Sequence, residues 1–169
     1  MTLNQYNILI DNFAEIYVDY KLGYISGKEI IELSKKGMIK KSDELRNYFL
    51  EDAYLKSENQ FIEQIISFCN EDNNPCDEKD DVFDIPDEYF RIWELDSLLT
   101  IHQMNISEEE KLDKVYEAFY SLNFPNRWAL NKIIRYSIKT ENILYSDAEL
   151  IKNLENYIEK ELCFFLGRK

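Results

Sequence analysis

Glycine and proline are scarce in this chain, with 4 and 3 residues among 169, about one-third of their share in average proteins. Strand-joining turns depend on these residues, so the composition argues against sandwiches, barrels and doubly wound sheets. The four glycines are scattered and form neither G-x-x-x-x-G-K-[ST] nor G-x-G-x-x-G, which leaves no phosphate-cradling loop. Histidine occurs once, at His102. A single imidazole excludes the usual zinc sites and leaves any nucleophile without an obvious base. The cysteines, Cys69, Cys76 and Cys163, are odd in number and lack a C-x-x-C pair, so they suggest no disulfide framework. Uncharged apolar runs fall far short of the roughly 20 residues that a membrane span requires. The first sixteen residues carry no basic region followed by an apolar core and a cleavage site. The expectation is a soluble protein of the reducing cytoplasm with no membrane association.

Hydrophobic residues make up 45% of the chain, too many for a disordered tail. A chain of this length is expected to fold as one domain, 1–169, hiding roughly two-thirds of its unfolded surface without a metal or disulfide. Against 20 basic residues stand 33 acidic ones, for a net charge of −13, which repels phosphate backbones and anionic membranes. Nucleic acid is therefore not an expected partner. The charge is uneven. Residues 70–88 carry −8, whereas 1–69 carry −3, 89–126 carry −4 and 127–169 carry +2. An N-terminal half, 1–69, and a C-terminal half, 89–169, would then flank an acidic loop, 70–88.

Ser followed three residues later by Glu or Gln satisfies two of the N–H groups left open at a helix start. The pattern occurs at Ser26/Glu29, Ser57/Gln60, Ser107/Glu110 and Ser146/Glu149. Ile25 with Ile30, and Tyr145 with Leu150, supply flanking apolar staples, and Ser42 suggests a further start. Gly23, Gly37 and Gly167 stand where helices should end in a left-handed residue. Apolar spacing between these signals is helical, as in Phe13, Ile16, Tyr17, Tyr20 or Leu150, Ile151, Leu154, Tyr157, Ile158. The pattern predicts helices at 3–22, 27–36, 43–54, 58–69, 87–104, 108–122, 126–139 and 147–166. The fold class is all-α, an antiparallel bundle or array of about eight helices with an acidic central loop. Ile25-Ser26-x-x-Glu29 and Ile106-Ser107-x-x-Glu110 hint at a duplicated hairpin, but shared capping explains the match more simply.

Self-repulsion and two prolines, Pro75 and Pro86, forbid a packed helix in the acidic segment. It reads either as a solvated connector or as a recognition loop. In the second reading Asp77, Glu78, Asp80, Asp81, Phe83, Asp84, Asp87 and Glu88 contact a partner, with Val82, Phe83 and Ile85 as apolar anchors. Charge would steer the encounter, and buried rings would slow dissociation. A calcium loop is a weaker third alternative, because D-x-[DN]-x-[DN]-G spacing is missing.

The other candidates read as structural. His102 lies in an apolar helix, and Cys69 and Cys163 fall on apolar helical faces where a buried thiol is usual. Glu108, Glu109 and Glu110 suit the positive end of a helix dipole. Tyr116, Phe119 and Tyr120 share a face that reads as core, while aromatics beyond a filled core would be interface. Arg127, Lys132, Arg135 and Lys139 are available to pair with the acidic segment. No catalytic residue, metal or cofactor is expected.

Trp93 on a central helix, Tyr116-x-x-Phe119 leading to Phe124-Pro125, and Ile134-Arg135-Tyr136 one helix later form a pattern, joined in the first half by Gly23-Tyr24-Ile25-Ser26. It resembles a family of short, acidic, helical bacterial proteins of unknown function grouped with the immunity proteins of polymorphic or contact-dependent toxin systems. The resemblance implies a non-enzymatic, cytoplasmic protein that binds a cognate toxin domain and occludes its basic active site. A helical adaptor or regulator without a toxin partner is the alternative, and an enzyme with an unrecognised site is the remaining one.

Overall fold

The computed structural model describes residues 2–10, 13–23, 25–39, 58–71, 86–122, 124–134 and 145–167. Among these the protein is all-α. Seven α-helices run α1 Phe13–Lys21, α2 Gly27–Lys35, α3 Glu58–Glu71, α4 Arg91–His102, α5 Glu108–Ser121, α6 Asn126–Leu130 and α7 Asp147–Leu166, with 3-10 turns at Leu3–Tyr6 and Asp87–Tyr89. The described residues contain no strand, only an isolated parallel bridge between Ile10 and Ile39. The helix predicted at 43–54 lies outside them.

Three predicted helices are shorter than their apolar pattern. The one at 3–22 is divided, because Asn7 takes a left-handed conformation, φ 54°, and Ile10 turns its N–H to Met38 O at 2.8 Å. The one at 87–104 opens with the 3-10 turn before α4 begins. The one at 126–139 stops at Leu130, where Lys132 is left-handed, φ 57°. In the first and third a left-handed residue, and in the second a 3-10 turn, overrides a periodicity that propensity alone would continue.

The chain divides into two compact units, Asn7–Ile92 and Met1–Tyr6 with Trp93–Lys169. In the first, α1 packs on α3, and Phe13 stacks on Phe68 with centroids 4.7 Å apart. Every residue of α1 from Phe13 to Asp19 is buried, so this helix is enclosed rather than amphipathic. Glu15 and Asp19 are buried with it, and both have interaction partners, as buried carboxylates must.

In the second unit α5 packs on α7. The buried residues of α7, Leu150, Leu154, Tyr157, Ile158, Glu161 and Phe165, recur at three and four, the spacing of one helical face. Leu112, Val115 and Phe119 form the matching stripe of α5. The N-terminal turn is tied to α4 by Asp96, whose Oδ1 accepts the N–H groups of Thr2 and Leu3 at 2.6 and 2.9 Å.

Helix ends follow the serines. Ser26, Ser107 and Ser146 each accept the N–H three residues on, and each donates its own backbone N–H to the carboxylate of Glu29, Glu110 or Glu149. Ser57 lies outside the described residues. Gly23 and Gly37 are left-handed, φ 74° and 69°, but Gly167 is right-handed, φ −78°, so it ends α7 without the reversal its identity suggested.

Hydrogen bonds from the Ser26, Ser107 and Ser146 backbones, and then from their hydroxyls, hold Glu29, Glu110 and Glu149 below the ordinary glutamate pKa. A depressed carboxylate pKa adds stability that is complete above the unfolded value and is lost as pH falls through the folded one. Changing all three residues to Gln keeps an acceptor for each N–H but removes the titration. The variant is expected to show a shallower fall in melting temperature between neutral and acidic pH than the wild type, measured by thermal denaturation across that range.

Candidate functional site

Of the residues assigned to partner binding from the sequence, Asp77, Glu78, Asp80, Asp81, Phe83 and Asp84 lie outside the described residues, as do Val82, Ile85 and Cys76. Asp87 and Glu88 are exposed on the 3-10 turn that follows Pro86. Tyr89, next along, is buried. The turn therefore ends the acidic segment by anchoring an aromatic ring, while its two carboxylates face solvent.

Two of the basic residues available to pair with that segment, Arg127 and Lys132, have other contacts among the described residues. Arg127, at the start of α6, forms a two-pronged pair with Glu94 of α4: Nη2 donates to Oε1 at 2.6 Å and Nε to Oε2 at 3.2 Å. Glu94 is 2% exposed and Arg127 25% exposed, so the pair is largely withdrawn from water. Lys132 sets its ammonium 5.2 Å from the Tyr145 ring centroid and accepts a hydrogen bond on its carbonyl from Asn153 at 3.1 Å. Arg135 and Lys139 lie outside the described residues.

Exposure corrects one further expectation. Cys69 is buried, but Cys163 is exposed near the end of α7, because the α7 core stripe passes through Ile158, Glu161 and Phe165 and leaves position 163 facing outward. His102 is half-buried in the last turn of α4, where its backbone carbonyl accepts from Lys111 Nζ at 2.9 Å. Among the described residues no three of His, Cys, Asp or Glu gather where a metal ion could be held. No helix among them is long and apolar enough to cross a membrane.

The aromatic face of α5 does not lie wholly in the core. Phe119 is buried, but Tyr120 is 47% exposed and Phe124, in the turn after the helix, is 49% exposed. The rings form a continuous ledge. Tyr116 and Tyr120 meet edge to face at 4.9 Å, Tyr120 and Phe124 at 4.8 Å, and Phe119 and Phe124 at 5.3 Å. The two tyrosine hydroxyls hydrogen-bond at 2.7 Å. Behind the ledge Phe119 stacks on Trp128, 6.4 Å between centroids. Trp128 is fully buried, and its indole N–H has no hydrogen-bond partner, so its contribution is packing alone.

The turn is strained as well as exposed. Phe124 has φ 59°, a conformation that costs a bulky residue about 1–2 kcal/mol. It is held by the bond from its N–H to Phe119 O, 2.8 Å, and by the ring contact between the same two residues. Such a six-residue closure is a common helix C-terminus. Pro125 further disfavours the right-handed helical alternative for the residue before it.

The sequence contained the signal for this ledge. At about 100° per residue, Phe119 falls within the stripe of Leu112 and Val115, Tyr120 lies nearest Asp113, and Tyr116 stands between them. The three aromatics share a face that straddles the edge of the buried stripe, so its outer member, Tyr120, reaches water.

A family model described as an uncharacterized protein conserved in bacteria, DUF2247, matches residues 5–162. No curated protein and no solved structure matches the chain.

Changing Arg127 to Met removes the charge that faces the buried Glu94 carboxylate. The expected loss is about 3 kcal/mol, the lower end for breaking a buried pair because the arginine is partly hydrated. Glu94→Gln added to Arg127→Met is expected to restore part of that loss. Denaturant titration of the single and double variants checks both.

Proposed function

The chain belongs to the DUF2247 family, and we propose for it the function of an immunity-type protein that binds a cognate bacterial toxin domain and occludes its basic active site. The observation that carries this reading is the charge. A net −13, of which −8 falls in residues 70–88, exceeds anything that folding requires and creates a field that attracts a cationic cleft. Apolar residues stand among the carboxylates, with Val82, Phe83 and Ile85 between Asp80, Asp81, Asp84 and Asp87. Such a mixture imitates phosphate charge at long range and offers anchors at contact. Inhibition by occlusion asks for no catalytic group on the inhibitor, only a rigid acidic surface, and the protein would act in the cytoplasm beside its target.

The reading is tested by co-expressing the protein with the toxin domain encoded immediately upstream of it. Cells are expected to survive only with both, and the two proteins to co-purify. An adaptor role would instead leave survival unchanged.

The acidic segment has its own test. Screening near 8 Å at physiological salt restricts these charges to a partner already close. Asp80, Asp81 and Asp84 replaced together by Asn are therefore expected to slow association on the order of tenfold at low salt and to flatten its salt dependence. Phe83→Ala is expected to speed dissociation instead. Binding kinetics at two salt concentrations separate the effects; unchanged rates for both variants would make the segment a connector.

A further inference from the structure

The exposed stripe of α5 combines carboxylates with aromatic rings. Glu109, Asp113, Tyr116, Glu117 and Tyr120 fall within about one-third of the helix circumference. All are exposed except Tyr116, which is half-buried. The two lysines of the helix, Lys111 and Lys114, are half-buried and lie outside it, Lys114 beyond Glu117 and Lys111 on the far side. The adjoining stripe, Leu112, Val115 and Phe119, is the one that packs inward. The outward stripe is therefore made of carboxylates and tyrosines, and it ends on the strained, half-exposed ring of Phe124.

We propose that this stripe and the Phe124 turn are a docking surface for an arginine-bearing segment of a basic protein partner, with Tyr116, Tyr120 and Phe124 receiving the guanidinium groups and Asp113 and Glu117 flanking them. The occupant follows from charge and ring chemistry together. A guanidinium is planar and weakly hydrated, so it stacks on aromatic faces, is attracted by the ring quadrupole, and donates in parallel to a neighbouring carboxylate. Phosphates and anionic lipids are repelled by the same carboxylates. A second copy of the chain would meet the stripe with a net charge of −13 and would have to overcome its own repulsion. The backbone at Phe124 adds a further argument. Glycine would adopt φ 59° without strain, whereas this chain holds a large apolar ring there, half in water.

The inference rests on the inhibitor reading for the identity of the partner, and it assigns part of the contact to a helical face rather than to residues 70–88 alone. The test is binding kinetics of the full chain with the toxin domain encoded immediately upstream, using Tyr120→Ser, Phe124→Gly, Glu117→Lys and, as a control, Glu155→Lys on the exposed side of α7. Tyr120→Ser and Phe124→Gly are each expected to raise the dissociation rate at least about tenfold while the melting temperature stays close to that of the wild type. Phe124→Gly is the sharper variant, since it relieves the backbone as it removes the ring. Glu117→Lys is expected to slow association more than Glu155→Lys, although both change the net charge equally.

Wild-type protein that fails to bind would overturn the inhibitor reading and this inference with it. Wild-type binding with unaltered dissociation from Tyr120→Ser and Phe124→Gly would overturn the docking surface alone. A wild-type dimer in sedimentation that Tyr120→Ser separates would give the face to a second copy and also overturn it.

Discussion

Every α-helix leaves four N–H and four C=O groups without partners inside the helix, and this chain must satisfy them with few glycines. At the N-termini of α2, α5 and α7 it uses a serine and a glutamate that exchange hydrogen bonds. At the C-termini the left-handed closing residue is glycine after α2, Gly37, but Lys132 after α6, and a left-handed Phe124 follows α5. Both side chains are put to use. Lys132 reaches over Tyr145, and Phe124 lies against Phe119 and Tyr120. A shortage of glycine thus becomes a set of side chains held in fixed, strained positions at the ends of helices, the places where a rigid surface can be presented.

The second unit separates its charges by role. Glu94 and Arg127 are drawn inward as a two-pronged pair that joins α4 to α6, and Asp96, two residues along α4, captures the N–H groups of Thr2 and Leu3. These carboxylates specify which elements meet, the role for which buried ionic groups are best attested. The carboxylates of α5 do the opposite. Glu109, Asp113 and Glu117 are exposed along a stripe that also carries two tyrosines. The effect of such exposed charges on stability is small.

On the proposed reading, binding would have two stages. The concentrated charge of residues 70–88 would act on a basic partner already close and raise its rate of association. The rings of Tyr120 and Phe124, already packed edge to face and backed by Phe119 and Trp128, offer a surface that needs little reordering on contact. On that reading residence would depend on rings and arrival on charge.

Helix starts were the most legible feature of the sequence, because a capping box is local: Ser107 and Glu110 are three residues apart and need nothing else. The all-α class followed from the scarcity of glycine and proline, and the inward stripe of α7 from its spacing. Interruptions were not legible. Asn7, Phe124 and Lys132 reverse the backbone for reasons that lie in the contacts on either side, and no propensity marks a phenylalanine for φ 59°. Nor could spacing say that Arg127 serves Glu94, 33 residues away, that Thr2 belongs with Thr100, or that α1 is enclosed all round while α5 leaves Tyr120 in water. The sequence alone determined what each segment is, since hydrogen bonding and apolar periodicity act over a few residues. Tertiary structure decided which side chains of those segments remain exposed, since burial depends on neighbours that only the folded chain supplies.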